Sequence, residues 1–320
     1  MAKLVESVPN FSEGRRIEVV DKLAAAVESV PGAFLLDRTS DASHNRSVLT
    51  LAGEPGPMLE ALELTVAVAV AEIDMEHHSG EHPRIGAVDV VPFVPLAGAT
   101  MNDCIELARA FGARVADRFG IPVYLYGEAA TSPARLRLAD VRKGQYEGLK
   151  TGIAEAGREP DFGPSALHAS AGAMAVGARP FLIAYNINLD SRDLELAKRI
   201  ARRIRESSGG LPRVQASGFW IDELDRAQVS MNLLDFRTTP IWLVWESVRA
   251  EAAEDSVRLA ESELIGLAPL AALLDVADHA GASARLPQTE RLAQAAAFLK
   301  LRDFSPLQAL ELKLEAAKSR

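Results

Sequence analysis

The sequence predicts an α+β protein made of two halves of like topology, each with a sheet of mixed or antiparallel strands. Strand and helix patterns follow the order βαββαβ twice along the chain, which is the ferredoxin-like order. Residues 161–180, rich in Gly, Ala, Ser and Pro, separate the two runs and have the composition of a loop and linker. We therefore expect two domains, 1–180 and 181–320, with a ligand cleft between them.

The first half alternates short apolar strands with amphipathic helices. Predicted strands cover residues 4–8, 33–37, 46–51, 87–94 and 123–126, and predicted helices cover residues 16–30, 57–73 and 101–119. Thr100 stands directly before the third helix and is a residue type preferred at the N-cap. This order predicts a mixed sheet with its helices on one face.

The second half repeats the order without any similarity of residues between the halves, so the repeat is one of architecture. Predicted strands cover residues 181–186, 214–220, 228–235 and 259–265, and predicted helices cover residues 191–204 and 240–254. A Rossmann sheet is the competing fold. It needs strict alternation of strands and helices and a Gly-x-Gly-x-x-Gly after the first strand, and the sequence has neither.

Composition and charge exclude several classes of function. The chain has 320 residues, 48% of them hydrophobic, which is enough to bury a large core. Its formal net charge of -9 argues against nucleic acid as a partner. We expect no membrane span and no signal peptide, because no apolar run is both long and free of charge. The single cysteine, Cys104, excludes an internal disulfide and favours a cytoplasmic protein.

A histidine-rich loop, residues 74–87, is the most informative segment. Gly80 and Pro83 break any helix through it, and an apolar strand follows it. The loop holds His77, His78, His82, Glu81 and Arg84. Imidazoles beside a carboxylate and a guanidinium have the parts for acid/base chemistry on an anionic substrate, so we interpret the segment as a catalytic loop.

Zinc binding is the competing interpretation of the histidine loop. A helical metalloprotease site needs two histidines one turn apart with a glutamate beside the first, and the order His-His-Ser-Gly-Glu-His does not supply it. We therefore predict no metal site. A solvated or capping role for His77 and His78 stays open.

Asn10-Phe11-Ser12-Glu13-Gly14 follows the first strand. Ser12 or Glu13 has the side chain to cap the next helix, while Asn10 has an amide that suits a ligand. The two interpretations are compatible, and both stay open.

Seven motifs, spread over nearly the whole chain, resemble the glutamate formimidoyltransferase (formiminotransferase) family. They read VPNFSEG at 8–14, GEHPRIGAVD at 80–89, PVYLYGE at 122–128, PDFGP at 160–164, FLIAYNINL at 181–189, AQVSMNL at 227–233 and ESELIGLAP at 261–269. Several motifs in the same order are far more specific than any one of them. The chain stops soon after the last, so we expect a stand-alone transferase without the cyclodeaminase domain of animal members.

The resemblance implies an enzyme that transfers the formimino group of N-formimino-L-glutamate to N5 of tetrahydrofolate in histidine degradation and one-carbon metabolism. Tetrahydrofolate is then a co-substrate, and no metal takes part. The resemblance also implies a homodimer.

Site residues follow from the same resemblance. The family's catalytic histidine follows Gly-Glu and precedes Pro, which falls on His82, and we expect its imidazole to titrate near neutrality. Asn10 and Arg84 are the first candidates for contact with the donor's carboxylates or amidine. Animal members have an acid two residues after the position of Asp37 that could orient the imidazole, whereas this chain has Thr39 there and its acid at Asp41. The folate-contacting loop falls on Gly163, Pro164, Ser165, Ala166, Leu167, His168, Ala169, Ser170, Ala171 and Gly172; a plain linker is the alternative.

Three other functions remain as alternatives. A ligase or cyclase acting on 5-formyltetrahydrofolate could use the same cleft, although the chain has no Gly-x-x-x-x-Gly-Lys-[Ser/Thr] motif for ATP. A non-catalytic folate-binding protein would not need His82. A formiminotransferase that prefers formiminoglycine as donor would keep every motif.

Overall fold

The chain divides into two compact units, Met1–Pro180 and Phe181–Arg320. The computed structural model describes residues 3–319 of them. Among these residues, no helix combines the length and the hydrophobicity that a membrane span requires.

The first unit contains one seven-stranded sheet and five helices among its described residues. Its strands are β1 (Val5–Ser7), β2 (Asn10–Phe11), β3 (Ala33–Asp41), β4 (Arg46–Gly53), β5 (Val88–Pro95), β6 (Val123–Gly127) and β7 (Met174–Ala178). Its helices are α1 (Ile17–Glu28), α2 (Pro55–Glu72), α3 (Met101–Phe119), α4 (Leu138–Val141) and α5 (Gln145–Gly152). The predicted α+β class is confirmed.

Strand pairing in this sheet reproduces the ferredoxin-like order. β3 pairs with β4, β4 pairs with β1 and β2, and both of these pair with β5, all antiparallel. The first strand is interrupted at Pro9, which has no backbone N–H to give to a neighbour. Beyond β5 the sheet continues with β7 and then β6, both parallel. The predicted mixed sheet therefore consists of an antiparallel core and a parallel extension.

Residues 161–180 are not only a linker, so the prediction from composition was wrong in part. Residues 174–178 form β7, which lies between β5 and β6 and is buried at every residue. Small residues let this strand fit between its neighbours, since a Cβ at Gly177 would lie 2.5 Å from the carbonyl oxygen of Tyr126. A parallel strand buried on both faces has no alternating pattern and is easily mistaken for a small-residue loop.

Helices cover both faces of the first sheet, which corrects the prediction of one covered face. One cluster packs α1, α2 and α3 against residues such as Val91, Phe93 and Leu125. A second cluster packs Leu149 of α5 against Tyr124, Tyr126 and their neighbours, which alternate along the strands with residues of the first cluster. α4 and α5 lie in a charged stretch that shows no clear apolar period, so the sequence did not predict them.

The predicted start of α3 is confirmed in detail. The Thr100 hydroxyl accepts the backbone N–H of Asp103 at 3.2 Å, and the Asp103 carboxylate accepts the backbone N–H of Thr100 at 2.8 Å. This reciprocal capping box satisfies two N–H groups that the first turn leaves unpaired.

The second unit is a four-stranded antiparallel sheet with helices. Its elements are β8 (Ile183–Leu189), α6 (Leu194–Ile204), β9 (Val214–Ile221), β10 (Arg226–Leu233), α7 (Ile241–Glu254), β11 (Leu259–Ile265), α8 (Leu270–His279), α9 (Gln288–Leu299) and α10 (Leu310–Lys318). The sheet order β11-β8-β10-β9 is the ferredoxin-like order, as predicted. Helices α8 to α10 follow this core and were not predicted.

Candidate active site

The histidine loop is irregular, as predicted, and hydrogen bonds to its backbone join it to two other segments, residues 170–171 and the loop after β2. The N–H of Met75 donates to the carbonyl of Ser170 at 2.8 Å, and the N–H of Ala87 donates to that of Ala171 at 2.9 Å. The Ser12 hydroxyl donates to the carbonyl of Gly86 at 2.7 Å. Bonds at both ends of the loop hold its central part, with His82, in a defined position.

The turn between β3 and β4 holds the middle of the histidine loop through Asn45. This residue has a left-handed backbone, with φ 48°, which asparagine tolerates better than most residues. Its amide group donates to the carbonyl of Ser79 at 3.0 Å and accepts the N–H of Gly14 at 3.0 Å. One buried side chain therefore ties together the turn, the loop after β2 and the histidine loop.

The His82 imidazole is half-buried, and no group within residues 3–319 hydrogen-bonds to it. Its pKa is lowered from 6.5 to about 3, first by burial and then by the positive charges of Arg46 and Arg142, with smaller effects of His44 and Arg84. The expectation of a titration near neutrality is therefore corrected for the unliganded protein. At neutral pH the ring is uncharged and its lone pair is available to accept a proton.

Arg46, at the start of β4, was not among the predicted site residues. Its side chain is half-buried and makes no hydrogen bond or ion pair with any other described residue. Burial, followed by repulsion from Arg142, lowers the pKa of its guanidinium, which nevertheless stays charged at neutral pH. The site thus contains a fixed positive charge without a direct partner.

Arg142, the residue directly after α4, pairs with the buried carboxylate of Asp89 on β5. Asp89 also accepts the backbone N–H of Ile85 at 2.9 Å, while its burial raises the pKa of its carboxyl group. The Nε of Arg142 is buried without a hydrogen-bond partner within the described part of the chain. A lone acid inside an apolar strand was the sequence signal for Asp89, whereas nothing in the pattern distinguished Arg142.

Arg84 is buried, and its guanidinium already has partners. It forms a two-pronged ion pair with Glu147 of α5, at 2.6 and 2.9 Å, and a 3.2 Å bond with Gln145. Its Nε donates to Nδ1 of His78 at 3.2 Å, so His78 carries its proton on Nε2 and donates it to the Asn45 carbonyl at 3.1 Å. The structure thus places Arg84 in the support of the loop, and its contact with a substrate stays a prediction.

The other histidines of the loop have different surroundings. His77 is exposed and bonds Asp74 at 2.8 Å. His78 is half-buried, and burial is the main cause that lowers its pKa. His78 therefore joins the loop to the β3–β4 turn, and His77 lies on the surface.

Asp41, at the end of β3, pairs with His44 and not with His82. One carboxylate oxygen accepts the His44 backbone N–H at 2.8 Å and the other lies 2.9 Å from its Nδ1, and these contacts lower the pKa of Asp41. Asn10 lies in β2 between β4 and β5, where its amide donates to the carbonyl of Val8 at 3.1 Å. The orienting acid and the ligand contact of Asn10 stay predictions.

The predicted folate loop forms a small hairpin beside the histidine loop. His168 and Gly172 exchange two backbone bonds of 3.1 Å, and Nδ1 of His168 accepts the N–H of Ala171 at 3.0 Å. Leu167, His168 and Ser170 are half-buried, and Ala171 and Gly172 are buried. The exposed part of the loop consists of Gly163, Pro164, Ser165, Ala166 and Ala169.

Residues 3–319 contain no cluster of three His, Cys, Asp or Glu side chains with the arrangement of a metal site. The elements that surround His82 instead contribute Arg46, Arg142 and Arg84. The uncharged His82 imidazole can accept a proton from a substrate. The guanidinium groups around it attract a substrate that carries negative charge.

Two protein-family models together match almost the whole length of the chain. Residues 4–179 match the formiminotransferase domain, N-terminal subdomain, and residues 184–311 match the formiminotransferase domain. The glutamate formimidoyltransferase of Streptococcus pyogenes serotype M1 is 46% identical over 87% of this chain and 93% of its own. That of Thermoplasma acidophilum is 44% identical over 98% of both chains.

A longer relative has the same region as part of a larger protein. The formimidoyltransferase-cyclodeaminase of Sus scrofa is 49% identical over 87% of this chain, but the match covers only 52% of the pig protein. Both family models match this chain, and two formimidoyltransferases are similar to it over nearly their full length. The chain therefore belongs to the formiminotransferase family.

Proposed function

We propose that this protein is a glutamate formimidoyltransferase, which transfers the formimino group of N-formimino-L-glutamate to N5 of tetrahydrofolate. The observation that carries the proposal is the uncharged imidazole of His82, free of hydrogen bonds within the described residues and surrounded by guanidinium groups. Such an imidazole is able to take a proton, while the guanidinium groups attract a donor with two carboxylates. Family membership adds independent support.

The reaction needs one group that first accepts and then returns a proton. N5 of tetrahydrofolate attacks the amidine carbon of the donor, a C–N bond forms, and the N5 proton passes to the His82 imidazole. The tetrahedral intermediate then breaks its bond to the glutamate nitrogen, which takes the proton back from the imidazolium. The products are 5-formiminotetrahydrofolate and glutamate, with no proton or electron left over.

Proton transfer explains only part of the rate. General acid/base help contributes about 10²- to 10⁴-fold, so holding both substrates in reacting geometry must supply much of the remainder. We assign tetrahydrofolate to the exposed part of the 163–172 loop, where small residues let backbone approach a flat ring. Ala166→Phe should then raise the KM for tetrahydrofolate more than the KM for the donor. An equal change in both would favour a plain linker.

We extend the proposal to a homodimer, on the family resemblance, and to a location in the cytoplasm, on the single cysteine. Light scattering coupled to size exclusion measures the mass directly. A mass of one chain at micromolar concentration would contradict the dimer.

Purified protein with tetrahydrofolate provides the direct test of function. Formiminoglutamate should be consumed with release of glutamate, formiminoglycine should be consumed more slowly, and 5-formyltetrahydrofolate with ATP should be left unchanged. Chelators should leave the rate unaltered. Faster turnover of formiminoglycine would reassign the donor, and no turnover of either donor would refute the proposal.

A further inference from the structure

Arg46 is the charged group of the site that most needs a ligand. A half-buried charge is costly unless a counter-ion or hydrogen bonds compensate it. Within the described residues the Arg46 guanidinium has neither, whereas Arg84 pairs with Glu147 and Arg142 pairs with Asp89. The fork of Arg46 is therefore open to a carboxylate, which it matches in shape and charge.

Within residues 3–319, the acids near Arg46 form no ion pair with its guanidinium. Both oxygens of Asp41 are held by His44, and those of Asp89 are held by Arg142 and the Ile85 N–H. Both acids attract Arg46 only at longer range. The neighbouring Arg142 repels it and keeps its own buried Nε without a partner in the described residues, so an anion here would satisfy two guanidinium groups.

We infer that Arg46, supported by Arg142, binds the α-carboxylate of the donor, and that this bound carboxylate activates His82 as the base. The inference rests on the proposed function and adds a residue that holds the donor. The α-carboxylate is the donor's anionic group closest to the nitrogen that leaves, and that nitrogen must lie near the His82 imidazole to recover its proton.

Activation follows from the charges that face His82 from each surrounding element. β4 contributes Arg46, the end of α4 contributes Arg142, and the β3–β4 turn contributes His44 with Asp41. The histidine loop itself contributes Arg84, which is paired with Glu147. Because these charges are mostly positive, the His82 imidazole is a weak base when no substrate is bound. A carboxylate 4–6 Å from a base raises the pKa of that base by about 1 to 3 units. The donor thus supplies the charge that makes its own transfer possible.

Kinetics test the role of Arg46 in binding. Arg46→Gln should raise the KM for formiminoglutamate by about 10- to 100-fold, since a charge-assisted pair is lost, and should leave the KM for tetrahydrofolate nearly unchanged. Formiminoglycine, which has the same α-carboxylate, should show a similar increase. Arg46→Lys should recover part of the loss. Arg38→Gln is the matched control, because Arg38 lies on β3 and pairs with Asp21 at the surface.

Nuclear magnetic resonance of ¹⁵N-labelled histidine tests the coupling to His82 without any turnover. In the wild-type protein, glutarate should shift the His82 titration upward by about 1 to 3 pH units, and the uncharged glutaramide should not. In Arg46→Gln the titration of the free protein should already be higher, and glutarate should move it less. The His82 signal is assigned by its loss in His82→Gln.

Two results would overturn the inference. One is glutarate that binds the wild-type protein without moving the His82 titration, which needs no variant to fold. The other is an Arg46→Gln protein with wild-type KM values for both donors. Absence of formiminotransferase activity with the glutarate coupling intact would instead refute the proposed function and leave the carboxylate site standing.

Discussion

The two units share the βαββαβ core, but among the described residues only the first unit interrupts the opening strand of this core and adds strands to its sheet. The second unit keeps four antiparallel strands in the order β11-β8-β10-β9. The first unit breaks its opening strand at Pro9 and adds α3, β6, α4, α5 and β7 beyond the core. Arg142, Glu147 and the 163–172 loop all lie in this addition. The same core is therefore the scaffold of both units, while the extension of the first unit adds Arg142 to the charges around His82 that β4 and the β3–β4 turn contribute.

The first prediction, with the largest expected effect, concerns His82 itself. His82→Gln should lower kcat by at least about 100-fold, because the proton acceptor is lost, while tetrahydrofolate binding stays near wild type. His77→Gln, an exposed residue of the same loop, is the control and should change kcat little. Steady-state kinetics and equilibrium binding separate the two effects. Near-normal turnover of His82→Gln would exclude the mechanism.

The second prediction concerns the join between the extension and the histidine loop. Gly172 has φ 70°, and a Cβ there would lie 2.6 Å from the carbonyl oxygen of Ile85. Gly172→Val should lower the free energy of unfolding by about 2 to 4 kcal/mol, through left-handed strain and overlap. It should also lower kcat/KM for both substrates, since Ile85 belongs to the histidine loop.

Gly157→Val is the control for Gly172→Val. It also has a positive φ, 84°, but nothing lies within 4 Å of its Cβ position. Denaturant unfolding of the two variants separates overlap from strain. Equal losses of stability would show that the join contributes nothing beyond the backbone conformation.

The third prediction concerns the ion pair that joins α5 to the histidine loop. Glu147→Gln leaves the buried Arg84 guanidinium without its two-pronged partner. We expect kcat/KM to fall by about 3- to 10-fold, since an exposed partner of a buried charge contributes about 1 kcal/mol. Glu155→Gln, an exposed acid paired with Arg158, is the control. A glutamine that changes kcat/KM no more than the control would remove Glu147 from the support of the loop.

The fourth prediction, with the smallest expected effect, concerns how the free energy of unfolding depends on pH. Folding lowers the pKa of His82 from 6.5 to about 3, so the unfolded chain binds a proton at this residue that the folded chain does not. The contribution of His82 to the free energy of unfolding is therefore largest above pH 6.5 and decreases as the pH falls towards 3. Between pH 7 and 5, His82→Gln should lose less stability than the wild type in denaturant titrations. Parallel curves for the two proteins would contradict the lowered pKa.

Local patterns of residues were sufficient to predict much of the secondary structure of this protein. Apolar periodicity and turn residues predicted the order of elements in both cores, and Thr100 followed by Asp103 determined the start of α3. The irregular histidine loop followed from Gly80 and Pro83. These features depend on residues near one another in the chain, so a single sequence contains them. The motif around His82 belongs to the same class.

Contacts between groups that are distant in the chain could not be predicted from the sequence and follow from the folded structure. The strand at 174–178 is stable only because β5 and β6 lie on either side of it, and small residues alone do not indicate such neighbours. Arg46, His82 and Arg142 influence one another across 96 residues of chain, and the lowered pKa of His82 exists only where burial and both charges act together. Charge coupling depends on distance in space and on burial, and neither is written in the local pattern of residues.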